Sequence, residues 1–285
     1  MLLEKDVAAF LEEKYRNQKI KFIGGIWSSF AFLVGDQVFR FPKEDVEEYK
    51  TEAQLLKFIR GRISFPIPDL SVFTDQKYPY SVHKYLEGSI WSVKEIEKGE
   101  FAELARDAAR FLHELHSIPM DEISAAVPTV KAKFKRHQHN KDVIYGYLKD
   151  HVPFDDFNKI YEKYQSACQQ TPGDFVFCHG DFTGTNSLIS EDRRLAGVID
   201  WTTSGWAERE YEFWRFLTDD NIMAKAVIAE YEKLSGAKIN FDRVMQILLM
   251  DHISVVFHLN TAERLFPFRE SLMKDYIIPH LKWFI

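Results

Sequence analysis

One short stretch leaves this chain few folds to choose from. Phe175 to Cys178 is an apolar, strand-like run that stops at His179-Gly180-Asp181. A polar loop follows as far as Asn186, then the strand-like Ser187-Leu188-Ile189. A hairpin leads to Leu195-Ala196-Gly197-Val198-Ile199, which ends on Asp200-Trp201. The neighbouring segments have helical periodicity, so this is a β-rich island in a helical region. A small β island held in a helical region, after a β-rich stretch of chain, points to an α+β architecture.

The first 86 residues differ in texture from the rest. Val7 to Tyr15 has the spacing of a short amphipathic helix. Ile20 to Ile23, Phe30 to Val34 and Gln37 to Phe41 read as strands, the last two joined by the turn pair Gly35-Asp36. Glu47 to Ile59 is a helix closed by Gly61, Pro66 and Pro68 mark an extended crossing, and Ser71 to Thr74 and Tyr80 to Leu86 are further strands. After Gly88, helices are expected over Phe101 to Leu115, Phe154 to Ala167, Asn221 to Leu234 and Phe241 to Leu259. The expected architecture is α+β and two-lobed: a β-rich lobe over residues 1–86 and a mainly helical lobe over 87–285.

Within the island, Asp181 and Asn186 stand five positions apart and Asp200 fourteen further on. Mg²⁺-dependent phosphoryl transfer needs such a set: one carboxylate to orient a hydroxyl and accept its proton, and an acid and an amide oxygen to hold hard cations against phosphates. Each acid alone also suits an ordinary solvated turn. The composition narrows the choice. Lys and Arg number 37 against 43 Asp and Glu, a net charge of −6, which disfavours nucleic-acid binding and leaves cationic small molecules open. Two cysteines, Cys168 and Cys178, make neither a disulfide framework nor a Cys-rich zinc site. No apolar run approaches a membrane span and acids interrupt the N-terminus, so a cytoplasmic protein without a membrane partner is expected.

His-Gly-Asp-x4-Asn followed by Gly-Val-Ile-Asp-Trp resembles the signature of the aminoglycoside phosphotransferase-like kinases, small-molecule relatives of protein kinases. The resemblance implies a protein-kinase-like fold, ATP or GTP as phosphate donor, Mg²⁺, and a small-molecule hydroxyl as acceptor. It implies Asp181 as catalytic base and Asn186 and Asp200 as metal ligands, with His179 bracing the loop. It extends to the first lobe. Ser28 and Ser29, in Gly24-Gly25-Ile26-Trp27-Ser28-Ser29, fall where a turn covers phosphates. Arg40 takes the strand cation's place, with Glu52 as its helix acid; Lys43, past Pro42, is expected to be solvated. His83, Lys84 and Tyr85 fall in the hinge that meets the base.

Residues 200–220 carry six acids against two bases, so four of the chain's six net negative charges fall there. Glu212 to Asp220 resembles the matching segment of aminoglycoside 2''-phosphotransferases, which implies Glu208, Asp219 and Asp220 as contacts for a polycationic antibiotic. The plainer alternative is a helix with a solvated acidic face. Two departures from the family stand out. Arg40 is bulkier than Lys, and Glu212 replaces the aspartate that braces the loop. Trp201-Thr202-Thr203, Trp206 and Trp214 would also suit a macrolide, and choline, homoserine or sugar kinases share the core. A nucleotide-binding module without transfer activity is the rival from another class. His113 and His116 are expected to pack rather than bind metal, residues 131–141 to be a solvated basic face, Cys178 to be a buried hydrophobe, and the chain to be a monomer.

Overall fold

The strands of the first half earn their place through aromatic side chains on one face. Phe32, Phe39, Phe41 and Tyr80 are buried together, and Val7 and Leu11 of the helix Glu4–Lys14 close over them. The computed structural model describes residues 2–25, 29–43, 46–130 and 138–285. Five strands, β1 (Ile20–Gly24), β2 (Ser29–Val34), β3 (Gln37–Pro42), β4 (Ser71–Phe73) and β5 (Tyr80–Lys84), form one antiparallel sheet in the order β1-β2-β3-β5-β4. Val34 pairs with Gln37 across Gly35-Asp36, and Gly35 takes the φ of +62° that so short a hairpin turn requires. The helix Glu47–Ile59 coincides with its expected bounds and buries Tyr49, Glu52, Leu55, Leu56 and Ile59.

Two compact units divide the chain. The first takes residues 1–133, 176–207 and 215–237 and holds this sheet. It also holds the helix Ala102–His116, whose Leu104, Ala108, Phe111, Leu112 and Leu115 face inward and which packs on the helix Ile222–Ser235. Asp107 is buried on that helix and accepts Arg194 Nε and Nη2 at 2.6 and 2.8 Å. The β island adds β6 (Phe175–Cys178), β7 (Ser187–Ile189), β8 (Leu195–Val198) and β9 (Gly205–Glu208), paired as β6-β9 and β7-β8.

The second unit takes residues 134–175, 208–214 and 238–285. The helices Phe154–Gln169 and Phe241–Thr261 pack together, and Asn240 caps the latter by accepting the Arg243 N–H at 3.2 Å. Asn140 caps the helix Lys141–Leu148 in the same way. Most of the basic stretch expected as a solvated face lies outside the described residues.

The acid-rich stretch corrects an expectation. Between Gly205 and Phe216 it is not a solvated α-helix: Gly205–Glu208 is a fully buried strand and Arg209–Phe216 a 3-10 helix, and only beyond them are Asp219 and Asp220 exposed. Among the described residues, no helix is long and apolar enough to cross a membrane.

Candidate active site

The loop between β6 and β7 is stitched in place from beneath. His179 is fully buried, and its ring meets Trp201 edge-on at 4.6 Å. Nδ1 accepts the Asp181 N–H at 3.3 Å, so the proton sits on Nε2, which donates to the Ile199 carbonyl at 3.1 Å. Burial, opposed by Asp181 and Asp200, pushes the His179 pKa down to about 4, so the ring is neutral at pH 7. It braces the loop, as expected. Thr203 and Ser204 hydroxyls donate to the His179 carbonyl at 3.2 and 3.1 Å. Gly180 has φ +84° and its Cα lies against the Thr203 carbonyl, where a methyl group would collide.

Asp181 stands above this bed with its side chain 34% exposed. Asn186 Nδ2 donates to Asp181 Oδ2 at 2.6 Å and to its carbonyl at 3.1 Å. Arg215 Nη2 meets Oδ1 at 3.2 Å and donates to the Gly180 carbonyl at 3.3 Å. Phe182, buried against Phe111 at 4.7 Å and Phe216 at 5.8 Å, anchors the loop.

Arg40 forms a second cluster. On β3 it pairs opposite Ser81, is almost completely buried, and sends Nη1 to both Glu52 oxygens at 2.9 Å and Nη2 to Asp200 Oδ1 at 3.0 Å. Its guanidinium lies over the Tyr49 ring at 4.8 Å. Glu52 also accepts the Trp201 N–H at 2.9 Å, and Thr202 Oγ1 donates to Asp200 Oδ1 at 2.8 Å. Burial works against the Arg40 charge, but Glu52 and Asp200 outweigh it and hold the group above its ordinary value. Burial, opposed by Arg40, pushes the Glu52 carboxyl up. Burial would raise Asp200 too, yet Arg40 and Thr202 hold it below the usual carboxylate range. Asp200 itself adopts a left-handed φ of 59°.

A divalent metal suits the remaining donors. Asn186 spends its amide nitrogen on Asp181, which leaves Oδ1, and Asp200 has acceptor capacity beyond Arg40 and Thr202. Its carbonyl accepting the Ile199 N–H at 2.8 Å, Asn186 is tied to the residue before Asp200. Among the described residues no group of three or more His, Cys, Asp and Glu could hold a metal by itself. Two hard oxygen donors, with phosphate and water to complete the shell, fit Mg²⁺.

The other expected residues fare unevenly. Ser28 lies outside the described residues; Ser29 begins β2, partly buried. Lys43 is not simply solvated: it donates to the Gly25 carbonyl at 2.8 Å and lies over the Phe30 ring at 4.5 Å. His83 is buried and Lys84 exposed; His83 Nδ1 bonds the Lys84 carbonyl at 2.8 Å. The Tyr85 N–H already donates to the Asp36 carbonyl at 2.7 Å, so that hinge donor is committed. Asp219 and Asp220 are exposed. Glu208 is placed differently from its expected role: it is buried, and Arg243 takes both its oxygens at 2.8 and 2.7 Å. A carboxylate so committed has little left for an acceptor's amines. His116 bonds the Tyr231 hydroxyl at 2.9 Å, and Cys178 is buried. Arg215 was not singled out by sequence; it was one base in an acidic run.

Comparison with known proteins gives the family and the fold. A sequence profile described as the phosphotransferase enzyme family (APH) matches residues 19–245, most of the chain. The chain belongs to that family and is a phosphotransferase. The solved structure of the GDP and kanamycin complex of APH(2")-IIia is similar over 99% of this chain and 97% of that one, with a TM-score of 0.72 and 19% identity. The apoenzyme of macrolide 2'-phosphotransferase MphH from Brachybacterium faecium is similar over 93% and 95%, with a TM-score of 0.66 and 16% identity. These likenesses establish the kinase-like fold, a β-sheet N-terminal region followed by a mainly helical part. In sequence, the uncharacterized protein YcbJ of Bacillus subtilis (strain 168) is 23% identical over 220 residues, 71% of this chain and 69% of its own length.

Proposed function

We propose that this phosphotransferase moves the γ-phosphate of ATP or GTP to a hydroxyl of an aminoglycoside-type small molecule, with Mg²⁺ at Asn186 and Asp200. Asp181 accepts the hydroxyl proton while the oxygen attacks the γ-phosphorus and the bond to the β-phosphate oxygen breaks, leaving a nucleoside diphosphate. When bound, Mg²⁺ neutralises charge on the phosphate oxygens. Arg40, held by Glu52, faces the phosphates, and Ser29 at the start of β2 covers them. The nucleotide base lies against the segment His83 to Tyr85 within the N-terminal lobe, residues 1–86.

The observation that carries this reading is Asp181. Its carboxylate is fixed by two donors yet left a third exposed, on the same loop as an amide whose oxygen is spare. The acceptor class rests on Asp219 and Asp220, two exposed acids thirty-eight and thirty-nine positions beyond Asp181 in the same compact unit. The GDP and kanamycin in the similar structure are in keeping with it. Trp201, Trp206 and Trp214 are buried, so these rings offer no open apolar wall of the kind a macrolide would use.

The test is phosphate transfer from Mg²⁺-ATP and Mg²⁺-GTP to a panel of aminoglycosides, macrolides and amino alcohols, run with Asp181→Asn alongside. The substitution keeps the size and removes the proton acceptor. Transfer should fall by roughly two or more orders of magnitude with nucleotide binding nearly intact. Full activity in the variant rejects the assignment.

A further inference from the structure

Arg215 touches the loop at its most sensitive atom. The Asp181 carboxylate is held on both edges, Oδ2 by Asn186 Nδ2 at 2.6 Å and Oδ1 by Arg215 Nη2 at 3.2 Å. The same Nη2 donates to the Gly180 carbonyl at 3.3 Å, so one nitrogen clasps the carboxylate and the peptide before it. The next residue, Phe216, is buried and meets the Phe182 ring edge-on at 5.8 Å. Two consecutive residues therefore grip the three residues centred on Asp181.

This contact is poorly explained as a source of fold stability. The Arg215 side chain is 17% exposed and its partner twice that, and half-open ion pairs add little to stability. What it does supply is orientation. A carboxylate held by one donor can still turn about its last bond; one held at both oxygens presents its lone pairs in a single plane. Proton transfer is sensitive to that placement. We infer that Arg215 is a positioning residue for phosphoryl transfer, fixing the Oδ1 edge of Asp181 so that the carboxylate meets the acceptor hydroxyl in one orientation. The inference rests on Asp181 acting as the base.

The experiment is a double-mutant cycle on the full chain with Mg²⁺-ATP and kanamycin. If kanamycin is not phosphorylated, the same cycle is run on Mg²⁺-dependent ATP hydrolysis, with water in place of the hydroxyl. Arg215→Met should lower kcat about 10- to 100-fold while the ATP KM stays within about twofold. Arg215→Lys should recover part of the loss. In an Asp181→Asn background, Arg215→Met should cost nothing further, because the group it positions is gone. Thermal unfolding of each variant checks that the fold is kept. An unchanged kcat in Arg215→Met, or a loss that simply multiplies with that of Asp181→Asn, overturns the inference. Full turnover in Asp181→Asn alone is a different result: it rejects the base and leaves Arg215 nothing to position.

Discussion

His179 shows how much one side chain constrains the loop. Its two ring nitrogens have opposite tasks, one accepting from Asp181 and the other donating to Ile199, and only the neutral ring can do both. Protonation would turn the acceptor into a donor facing an N–H. Burial accordingly holds its pKa at about 4, against 6.5 for a free histidine. Between those values the unfolded chain binds the proton and the folded chain does not, so stability rises with pH through this window. His179 contributes fully above about pH 6.5, and the contribution is lost as pH falls toward 4. About 2 kcal/mol should disappear between pH 7 and pH 5. Urea unfolding at the two pH values measures this, and His179→Gln should flatten the difference even if it lowers stability at pH 7. A slope that survives the substitution would assign the effect to another group. Arg40 illustrates the same economy: its fork reaches Glu52 and Asp200 together, which the single ammonium of a lysine could not match in geometry.

At the scale of elements, the loop works because glycine lets neighbouring turn and loop backbone approach it. Gly180 lies against Thr203, and Gly184 lies against the Trp91 backbone, whose N–H donates to the Gly184 carbonyl at 2.8 Å. Gly180→Ala should force the loop off its bed, since both its φ of +84° and the Thr203 carbonyl exclude a methyl group. Transfer should drop at least about 10-fold, with a loss of stability of order 1–3 kcal/mol, read by kinetics and urea unfolding on the same sample. Much of this region was legible in the sequence. The loop residues lie between strand runs, and the helix Glu47–Ile59 has a clear apolar period and closing glycine. The strand β9 was not legible, because it is four residues long and buried throughout, with no alternation to read. Nor was the 3-10 helix Arg209–Phe216, whose tighter turn lacks the 3.6-residue period. Arg215 lies in that helix, so its meeting with Asp181 depends on a turn geometry that composition does not reveal.

Across the whole chain, the question is how much of the negative charge remains available to an acceptor. Of the six acids in residues 200–220, Asp200 is paired with Arg40 and Glu208 with Arg243, while Glu210 and Glu212 are buried. Asp219 and Asp220 are left as the exposed acids of that stretch. A run that reads as a broad acidic field therefore reduces to two neighbouring carboxylates. If they bind the amines of a polycationic acceptor, replacing both by Asn should raise the kanamycin KM roughly 3- to 30-fold at low salt and leave the nucleotide KM unchanged. The Debye length is about 10 Å at 0.1 M, so added salt should raise the parent's kanamycin KM and narrow the gap between parent and variant. Glu208→Gln is the control. It strands Arg243 in a buried site, which should cost about 3–5 kcal/mol in stability, yet it should not raise the kanamycin KM. An unchanged KM in the double variant, or a rise in Glu208→Gln equal to it, would reject the two exposed carboxylates as the acceptor contact and turn the search toward an acceptor with less charge.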